Sequence, residues 1–349
     1  MSITEILAQT SHWLTAQNRH PIVLSTRVRL ARNLADRPFP LALKPEAAEQ
    51  TETEIAAVLE TVDLEGCSLR YLPLRNVSDM EKLALVERHL ISPALASLGV
   101  GRGVALSPEH RLAVMVNEED HIRLQVILPG SALQEAFQLS DKLDDALEAK
   151  LDFAFRERYG YLTSCPTNVG TGMRVSAMMH LPALVMTKQT QQVLSALAPL
   201  GLAIRGLYGE GSKAWGNIFQ ISNQVTLGKS EEDTLANIEA VTEQICELEN
   251  QARQMMLANR GVLEDKVWRA RGILSSARIM PVEEAFRLVS EDRLGVDLGF
   301  LPPRREESFA ALLLNLLPAG LRYRRGEEMT EEQLNVARAD YLRAAVGEE

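Results

Sequence analysis

Five arginines lie in segments whose other residues are mostly apolar or glycine. Arg27 and Arg29 stand two residues apart, so on a β-strand their side chains point to the same face. The others are Arg123, Arg174 and Arg205. A guanidinium fork binds phosphate oxygens in a planar, bidentate geometry. Each arginine alone could be a solvated residue on a strand, but the set predicts a phosphate-binding site.

Carboxylates occur in two polar islands. Glu118, Glu119 and Asp120 directly precede His121, and Glu210 lies inside a glycine-containing loop. Two carboxylates can hold a cationic group by charge-assisted hydrogen bonds, and one of them can act as a general base. The alternative for the acidic run is a solvated hairpin tip. The alternative for Glu210 is an ordinary turn residue.

Two glycine motifs are only superficially like nucleotide-binding loops. Residues 227–230 read L-G-K-S, like the end of a P-loop, but Asn223 stands where that loop needs a glycine. Residues 209–214 read G-E-G-S-K-A, which fits the loose dinucleotide-binding pattern, but the following residues are strand-like and that pattern must open a helix. The H-R-D and D-F-G motifs of ordinary protein kinases are absent from the sequence.

Composition narrows the class of protein. Of the 349 residues, 47 are acidic and 37 are Lys or Arg, which gives a net charge of −10 and argues against a sequence-independent nucleic-acid-binding protein. Cys67, Cys165 and Cys246 form no C-x-x-C pair, which argues against a zinc site and fits a reducing compartment. There is no signal-peptide pattern and no apolar run of roughly 18 residues. We therefore expect a cytoplasmic protein that does not bind a membrane.

The order of predicted elements indicates a mixed domain followed by a smaller helical one. Alternating β-branched and polar residues predict a strand over residues 22–32, and antiparallel strands are expected between 103 and 128. Residues 161–227 are strand-like again, apart from a helix near 188–198, and the pattern from 230 onward is helical. Predicted helices outside that segment cover residues 4–17, 45–61, 79–89, 133–148, 230–259, 263–276, 282–291, 308–317 and 330–345.

Four motifs are spread over most of the first 230 residues. They are S-T-R-V-R-L-A-R-N at 25–33, V-N-E-E-D-H-I-R at 116–123, C-P-T-N-V-G-T-G-M-R at 165–174 and G-N-I-F-Q-I-S-N at 216–223. Together they resemble the catalytic motifs of the phosphagen (guanidino) kinases, in the same order and at similar spacing, and most resemble those of the bacterial protein arginine kinases. This resemblance implies an α+β fold, with a catalytic domain (residues 1–252, an antiparallel sheet flanked by helices) and an all-helical C-terminal domain (residues 253–349).

The resemblance also implies a role for each matching residue. Glu119 would bind the guanidinium of the substrate and take its proton, and Glu210 would be the second carboxylate holding that group. Cys165 would lie beside the substrate nitrogen, with a buried structural thiol as the alternative. The five arginines would clamp the phosphates of ATP, and Mg²⁺ would be held by those phosphates rather than by a protein metal site. Residues implied to support the geometry are Ser25, His121 and Asn168.

The resemblance further bears on the substrate. Relatives that act on free arginine or creatine carry a helical domain before S-T-R-V-R that closes over the substrate, whereas here that motif begins at Ser25. We therefore expect an open site that phosphorylates arginine side chains of proteins, marking them for quality control. The alternatives are a kinase for a free guanidino metabolite and a non-catalytic adaptor that binds phosphoarginine. Expected partners are a small zinc-binding activator, a Clp-type unfoldase and a second copy of the chain.

The C-terminal domain departs from the family pattern. Protein arginine kinases resemble one another in an R-D-x-x-R-A motif that binds phosphoarginine, but Leu334 and Asn335 replace its first arginine and its aspartate here. Arg338 keeps the second arginine and is a possible phosphoarginine-binding residue, with a solvated helix residue as the alternative. The cluster Arg322, Arg324 and Arg325 is predicted to be a solvated linker, with a second binding site as the alternative.

Overall fold

The computed structural model describes residues 3–15, 20–64, 67–197, 201–206, 215–303 and 308–346. Among the described strands, eight form one sheet in the order β11-β12-β10-β1-β7-β6-β5-β4. The neighbouring pairs β1–β7, β7–β6, β6–β5 and β5–β4 are antiparallel. The strands are β1 (Val23–Arg32), β2 (Asp63–Leu64), β3 (Cys67–Ser68), β4 (Arg70–Pro73), β5 (Gly103–Leu106), β6 (Leu112–Val116), β7 (Ile122–Pro129), β8 (Phe155–Arg156), β9 (Gly160–Tyr161), β10 (Met173–His180), β11 (Leu202–Arg205) and β12 (Ile218–Asn223).

Helices flank the sheet and make up the end of the chain, which confirms the predicted α+β class. They are α1 (Ile3–Ala8), α2 (Pro45–Glu60), α3 (Asp79–Glu87), α4 (Pro93–Ser97), α5 (Leu133–Glu148), α6 (Pro182–Met186), α7 (Thr190–Leu197), α8 (Glu231–Met256), α9 (Arg260–Ser276), α10 (Val282–Asp297), α11 (Phe309–Asn315), α12 (Pro318–Arg325) and α13 (Glu331–Val346).

The chain divides into two compact units. The predicted domain boundary after residue 252 remains a prediction. Unit 1 consists of Met1–Trp13, Ser25–Ser176 and Ser222–Glu239, and unit 2 of Leu14–Leu24, Ala177–Ile221 and Ala240–Glu349.

In unit 1, every residue of β5 and β6 is buried. α5 packs against β7 through a stripe of buried residues at helical spacing, which includes Leu133, Ala136, Leu143 and Leu147. This stripe explains why the bounds of α5 could be predicted from the sequence. Burial of these apolar side chains stabilises the platform on which β1 and β7 carry their arginines.

In unit 2, α9 and α10 pack against each other. Their shared core contains Val267, Leu294 and Leu301, each less than 5% exposed. The α13 helix adds Leu334, which is fully buried with Leu321 and Ala337. A leucine at position 334 therefore serves as a core residue of this unit.

Two predictions about local structure were wrong. The first helix ends at Ala8 rather than near residue 17, because the chain turns to pair the His12 N–H with the carbonyl oxygen of Glu109. The expected linker around Arg322 is the last turn of helix α12. Pro318 in the first turn, the arginines near the C-terminal end and left-handed Gly326 (φ 71°) form a complete set of helix signals.

Candidate active site

Three of the predicted phosphate-binding arginines share one face of the sheet in unit 1. Arg27 and Arg29 alternate along β1, and in the antiparallel pairing with β7 Arg29 lies opposite Gln125. Arg123 lies opposite Ala31, one further step along the same face. Residues directly opposite each other in an antiparallel pair project to the same side. The strand register therefore brings Arg123 next to the two arginines of β1.

Electrostatics show that Arg174, at the start of β10, joins this group. Burial and the like charges of Arg27, Arg123 and Arg174 lower the pKa of Arg29 well below its usual value, while Glu118 opposes the shift. Like charges have such an effect only when they lie close together. The cluster of Arg27, Arg29, Arg123 and Arg174, here called the arginine cluster, is a concentrated positive site that an anion would relieve.

Glu118 holds the side chain of Arg123 in place. Its Oε2 atom accepts a hydrogen bond from Nη1 of Arg123 at 2.6 Å, and its other carboxylate oxygen accepts from the Ser92 hydroxyl at the start of α4. Glu118 is only 2% exposed. Although burial opposes ionisation, Arg123 and Ser92 hold the pKa of Glu118 below its usual value. Glu118 is therefore a buried counterion for Arg123.

Glu119 faces outward from the same loop. Its side chain is 37% exposed, and its Oε2 atom lies 3.9 Å from Nη1 of Arg123. Burial raises the pKa of Glu119; the neighbouring carboxylates of Asp120 and Glu118 add to the shift and Arg123 opposes it. A carboxylate of raised pKa beside a cationic cluster has the properties of a general base.

The loop that carries these acids is the hairpin turn between β6 and β7, residues 117–121, here called the acidic turn. It is not a solvated hairpin tip, which was the alternative interpretation of the acidic run. Asp120 and His121 are at most 1% exposed. Asn117, which adopts a left-handed φ of 55°, donates from Nδ2 to the carbonyl oxygens of Ala48 and Gly101. The turn is thus anchored inside the protein, with Glu119 as its accessible acid.

His121 supports this turn as a neutral side chain. Its Nδ1 atom accepts a hydrogen bond from the Leu34 N–H at 3.1 Å, which requires an unprotonated nitrogen. Burial, with the charge of Arg37 adding to it, lowers the pKa of His121 to about 4. His121 therefore lies at the end of this turn and joins it to Leu34, two residues beyond the end of β1.

The loop with Cys165 lies against the acidic turn. The Ser164 hydroxyl donates to the carbonyl oxygen of Glu119 at 2.7 Å, and Cys165 follows directly. The Sγ atom of Cys165 is 3.0 Å from the hydroxyl of Thr167, and the thiol is partly exposed rather than buried. The alternative of a buried structural thiol does not describe this cysteine.

Asn168 connects the cysteine loop to the arginine cluster. Its Oδ1 atom accepts from Nε of Arg174 at 2.8 Å, while Nη2 of the same arginine donates to the Thr167 hydroxyl at 2.8 Å. Thr226 fixes the loop from the other side by donating to the carbonyl oxygens of Thr167 and Val169. Asn168 therefore orients the guanidinium of Arg174.

The structure gives less detail around three further predicted site residues. Ser25 is the first residue of β1 that belongs to unit 1. It is buried, on the face of the strand that carries Arg27. Arg205 ends β11 in unit 2, but its side chain is outside the described structure. Glu210 lies in the segment 207–214, which is also outside the described residues. The roles of Arg205 and Glu210 remain predictions.

The sequence did not single out several residues that support the site. Arg32 is 1% exposed. Its guanidinium donates to the carboxylate of Asp144 and to the carbonyl oxygens of Ala31 and Thr171, the last at 3.0 Å. Its guanidinium also stacks on Tyr161, 3.5 Å from the ring centroid. The signal was present, because Arg32 and Asn33 belong to the same motif as Arg27. The motif alone does not reveal that the guanidinium of Arg32 is buried and stabilises the fold.

His89 is another neighbour of the arginine cluster. Burial and the charge of Arg27 lower its pKa to about 3. The backbone at His89 has a left-handed φ of 59°, and its carbonyl oxygen accepts from the Gln125 side chain at 2.7 Å. A neutral imidazole therefore lies beside the arginine cluster.

The L-G-K-S segment serves as a helix start. The Ser230 hydroxyl accepts from the Asp233 N–H at 3.0 Å, which caps the N-terminus of α8. Asn223, the residue that breaks the P-loop pattern, bridges strands by donating to the carbonyl oxygen of Met173 and accepting from the Val175 N–H.

Arg338, in unit 2, is completely buried and is not the solvated helix residue of the alternative. Its guanidinium donates to the carbonyl oxygens of Leu316 and Met280, each at 2.8 Å, and to Oδ1 of Asn335. Asn335 thus contacts the arginine from a position where the family pattern has an aspartate. Binding of phosphoarginine by Arg338 remains a prediction.

Within the described part of the chain, no group of three or more His, Cys, Asp or Glu side chains is arranged to hold a metal ion. No described helix combines the length and apolar character needed to cross a membrane.

Comparison with known proteins gives the class. Residues 50–252 match the family described as ATP:guanido phosphotransferase, C-terminal catalytic domain, and residues 260–349 match the Protein-arginine kinase McsB C-terminal domain. A solved structure of the duplicated taurocyamine kinase from Schistosoma mansoni, with bound transition state analog components, superposes with a TM-score of 0.62 at 26% identity. The match covers 70% of this chain and 35% of that duplicated chain. The chain belongs to the ATP:guanido phosphotransferase family, as its four motifs predicted.

Curated relatives narrow the group. A protein named Protein-arginine kinase from Moorella thermoacetica is 45% identical over 341 residues, 97% of each chain. Another of the same name from Halothermothrix orenii is 42% identical over 347 residues, 98% of this chain and 99% of that one. The predicted resemblance to protein arginine kinases is confirmed along nearly the whole chain.

Proposed function

We propose that this protein transfers the terminal phosphoryl group of ATP to the guanidinium of arginine side chains in other proteins. The observation that carries the proposal is the arginine cluster gathered beside Glu119, a partly exposed carboxylate of raised pKa. The relatives named Protein-arginine kinase support the same substrate class. A cationic cluster and a base are the two parts that phosphoryl transfer to a guanidinium needs.

The arginine cluster would bind the phosphates of ATP. Its four guanidinium groups repel one another, as the lowered pKa of Arg29 indicates, so negative phosphate oxygens would relieve an unfavourable interaction already built into the fold. During transfer the charge spreads over the phosphoryl oxygens, and fixed positive groups stabilise that charge. The predicted contribution of Arg205 adds a fifth guanidinium to this clamp.

Glu119 would act on the substrate. A guanidinium has a pKa above roughly 12 and no available lone pair, so its nitrogen attacks only as it loses a proton. The carboxylate of Glu119 accepts that proton, the nitrogen–phosphorus bond forms, the bond from phosphorus to the bridging oxygen breaks, and ADP leaves with the electron pair of that bond. Glu210 would hold the other side of the guanidinium, and Cys165 would lie beside the reacting nitrogen.

Magnesium would enter with the nucleotide. Mg²⁺ in nucleotide sites keeps several water and phosphate ligands and needs few from the protein. Bound there, the ion would neutralise part of the charge on the phosphates, while the residues of the arginine cluster position them.

A kinase for a free guanidino metabolite is the alternative within the same family. The structural similarity to taurocyamine kinase is compatible with this alternative. The two functions are separated by incubating the protein with radiolabelled ATP and either free arginine or an unfolded, arginine-rich protein. Acid-labile phosphate on the protein alone supports the proposal. Labelling of free arginine with none on the protein would assign the metabolite as substrate.

The second alternative is a non-catalytic adaptor that binds phosphoarginine. The presence of both the arginine cluster and Glu119 counts against it, since an adaptor needs no base. Glu119→Ala discriminates, because it would abolish labelling by a kinase but leave binding by an adaptor intact.

We further propose the cellular setting that the family resemblance implies. The protein would act in the cytoplasm, in line with three cysteines that are free in the structure. Its phosphorylation would mark proteins for quality control, and its partners would be a small zinc-binding activator, a Clp-type unfoldase and a second copy of the chain. Co-purification from cell extract, followed by identification of the bound proteins, tests these partners.

A further inference from the structure

Asn33 occupies the position directly after β1, where the sheet meets the acidic turn. Its side chain is 1% exposed, so its carboxamide must find partners inside the protein. Nδ2 donates to Oδ1 of Asp120 at 2.6 Å and to the carbonyl oxygen of Leu162 at 3.1 Å. Oδ1 accepts from the His121 N–H at 2.9 Å. One side chain thus joins β1, the acidic turn and the segment leading to Cys165.

Ser164 completes the connection from the other side. Its N–H donates to the same Oδ1 atom of Asp120, at 2.7 Å, and its hydroxyl donates to the carbonyl oxygen of Glu119, also at 2.7 Å. Asp120 is therefore held between Asn33 and Ser164, and it is 1% exposed. The segment that carries Cys165 is attached to the acidic turn through these bonds.

The position of Glu119 follows from its two neighbours. Glu118 is held inside the protein by Arg123 and Ser92, and Asp120 is held inside by Asn33 and Ser164. With the residues on both sides fixed, the backbone at Glu119 has little freedom, and its side chain is directed outward past Arg123. A base works only if it is within hydrogen-bond reach of the proton that it accepts.

We propose that Asn33, Asp120 and Ser164 form a clasp that positions Glu119 and Cys165 relative to each other for phosphoryl transfer. Asn33 is the central positioning residue, because it also holds the acidic turn to the strand that carries Arg27 and Arg29. In this proposal the clasp acts through Glu119 rather than directly on ATP or the substrate. The inference rests on the proposed function, in which Glu119 is the base.

The clasp also has an electrostatic consequence. The carboxylate of Asp120 is one of the charges that raise the pKa of Glu119. Burial raises the pKa of Asp120, and the hydrogen bonds from Ser164 and Asn33 oppose that shift by favouring the ionised form. Asp120→Asn can keep both bonds through its Oδ1 atom while removing the charge. It therefore separates the geometric effect of the clasp from its electrostatic effect.

The test compares kcat, the KM for ATP and the pH dependence of kcat in wild-type protein and variants, using a folded protein substrate rich in arginine. Asn33→Ala should lower kcat on the order of a hundredfold, since a base displaced by about 1 Å can lose that factor. The KM for ATP should stay within about twofold, because the arginine cluster is untouched. Asp120→Asn should keep most of kcat and move the acidic limb of the pH profile to lower pH.

The matched control is Tyr71→Phe. Tyr71 donates to the buried carboxylate of Glu52 at 2.9 Å in the same unit, from the edge strand β4, which β5 separates from β6 in the sheet. Its removal also leaves a buried carboxylate with one donor fewer. Tyr71→Phe should lower the melting temperature and leave kcat within about twofold. A fall in kcat for Asn33→Ala no larger than that of Tyr71→Phe would overturn the proposal.

Two further variants keep the inference testable if Asn33→Ala does not fold. Ser164→Ala retains the backbone bond to Asp120 and removes the hydroxyl bond to Glu119, so it should lower kcat several-fold at unchanged KM for ATP. Asn33→Asp keeps an acceptor for the His121 N–H but replaces the donor to Asp120 with a like charge, so it should lower kcat at least tenfold at unchanged KM for ATP. An unaffected kcat in both Ser164→Ala and Asn33→Asp overturns the clasp.

Glu119→Gln in the same assay separates this inference from the proposed function. If Glu119→Gln keeps the wild-type rate, the assignment of the base fails, whatever Asn33→Ala does. If Glu119→Gln is inactive and Asn33→Ala behaves like Tyr71→Phe, the clasp alone fails.

Discussion

Nη1 of Arg123 lies 3.9 Å from Oε2 of Glu119. A positive charge at that distance favours the ionised carboxylate, yet burial and two neighbouring acids outweigh it, and the pKa of Glu119 is raised. The residue is therefore a stronger base than an ordinary glutamate and lies next to a member of the arginine cluster. This relationship links the two halves of the proposed reaction.

The pH dependence of kcat should report Glu119. Below its raised pKa the carboxylate is protonated and cannot accept the guanidinium proton, so kcat should fall about tenfold for each further pH unit of acidification. The measurement is kcat between pH 4.5 and 8, with circular dichroism at each pH to confirm that the protein stays folded. A flat profile across the acidic range would contradict the assignment.

The two adjacent glutamates should contribute differently to the free energy of unfolding. Glu118→Ala removes the buried carboxylate that pairs with Arg123 and should lower the free energy of unfolding by about 3–5 kcal/mol. Glu119→Ala removes a partly exposed side chain and should change the free energy of unfolding by no more than about 0.5 kcal/mol. Urea unfolding of both variants checks this. Equal stability losses would mean that the two acids do not have the separate roles described.

Arg29 should be a residue that function keeps at the expense of stability. Its charge is disfavoured in the fold by burial and by the other members of the arginine cluster, so Arg29→Met should raise the free energy of unfolding by about 0.5–2 kcal/mol. The same variant should lose the increase in melting temperature that ATP gives the wild-type protein. Thermal unfolding with and without ATP measures both effects. A destabilised variant that still responds fully to ATP would contradict the prediction.

Arg32 should matter for structure far more than its neighbour in sequence, Arg37. The guanidinium of Arg32 is buried on Tyr161 and donates to Asp144 and Thr171, so a lysine cannot replace its set of bonds. Arg32→Lys should lower the free energy of unfolding by on the order of 2–4 kcal/mol.

Arg37→Lys is the control for Arg32→Lys. Arg37 pairs with Asp36 and Glu54, which are 64% and 48% exposed, so its replacement should change the free energy of unfolding by less than about 1 kcal/mol. Similar losses for the two variants, measured by urea unfolding, would show that the buried contacts of Arg32 do not stabilise the fold.

Local patterns were enough to predict much of the fold and the shared face of two candidate site residues. The alternation in β1 correctly placed Arg27 and Arg29 on one face, because strand periodicity depends only on neighbouring residues. The bounds of α5 were correct for the same reason, since its apolar stripe is continuous. Local signals of this kind are complete within about a dozen residues.

Contacts between distant residues could not be predicted in this way. Asn33 and Asp120 are 87 positions apart, and only the pairing of β1 with β7 brings them together. The alternative interpretation of Arg338, a solvated helix residue, follows from the usual exposure of arginine, yet this side chain satisfies backbone carbonyls in the interior. The helix around Arg322 was missed because a run of arginines was read as polarity alone, without the capping residues on either side.

The most direct test of the proposed function is mass spectrometry, under mild and non-acidic conditions, of a protein mixture treated with ATP and this enzyme. Phosphate bound to arginine side chains with wild-type protein, and none with Glu119→Gln, is the predicted result. Phosphorylation confined to serine, threonine or tyrosine, or equal arginine phosphorylation by Glu119→Gln, would contradict a mechanism in which Glu119 deprotonates a guanidinium held against the arginine cluster.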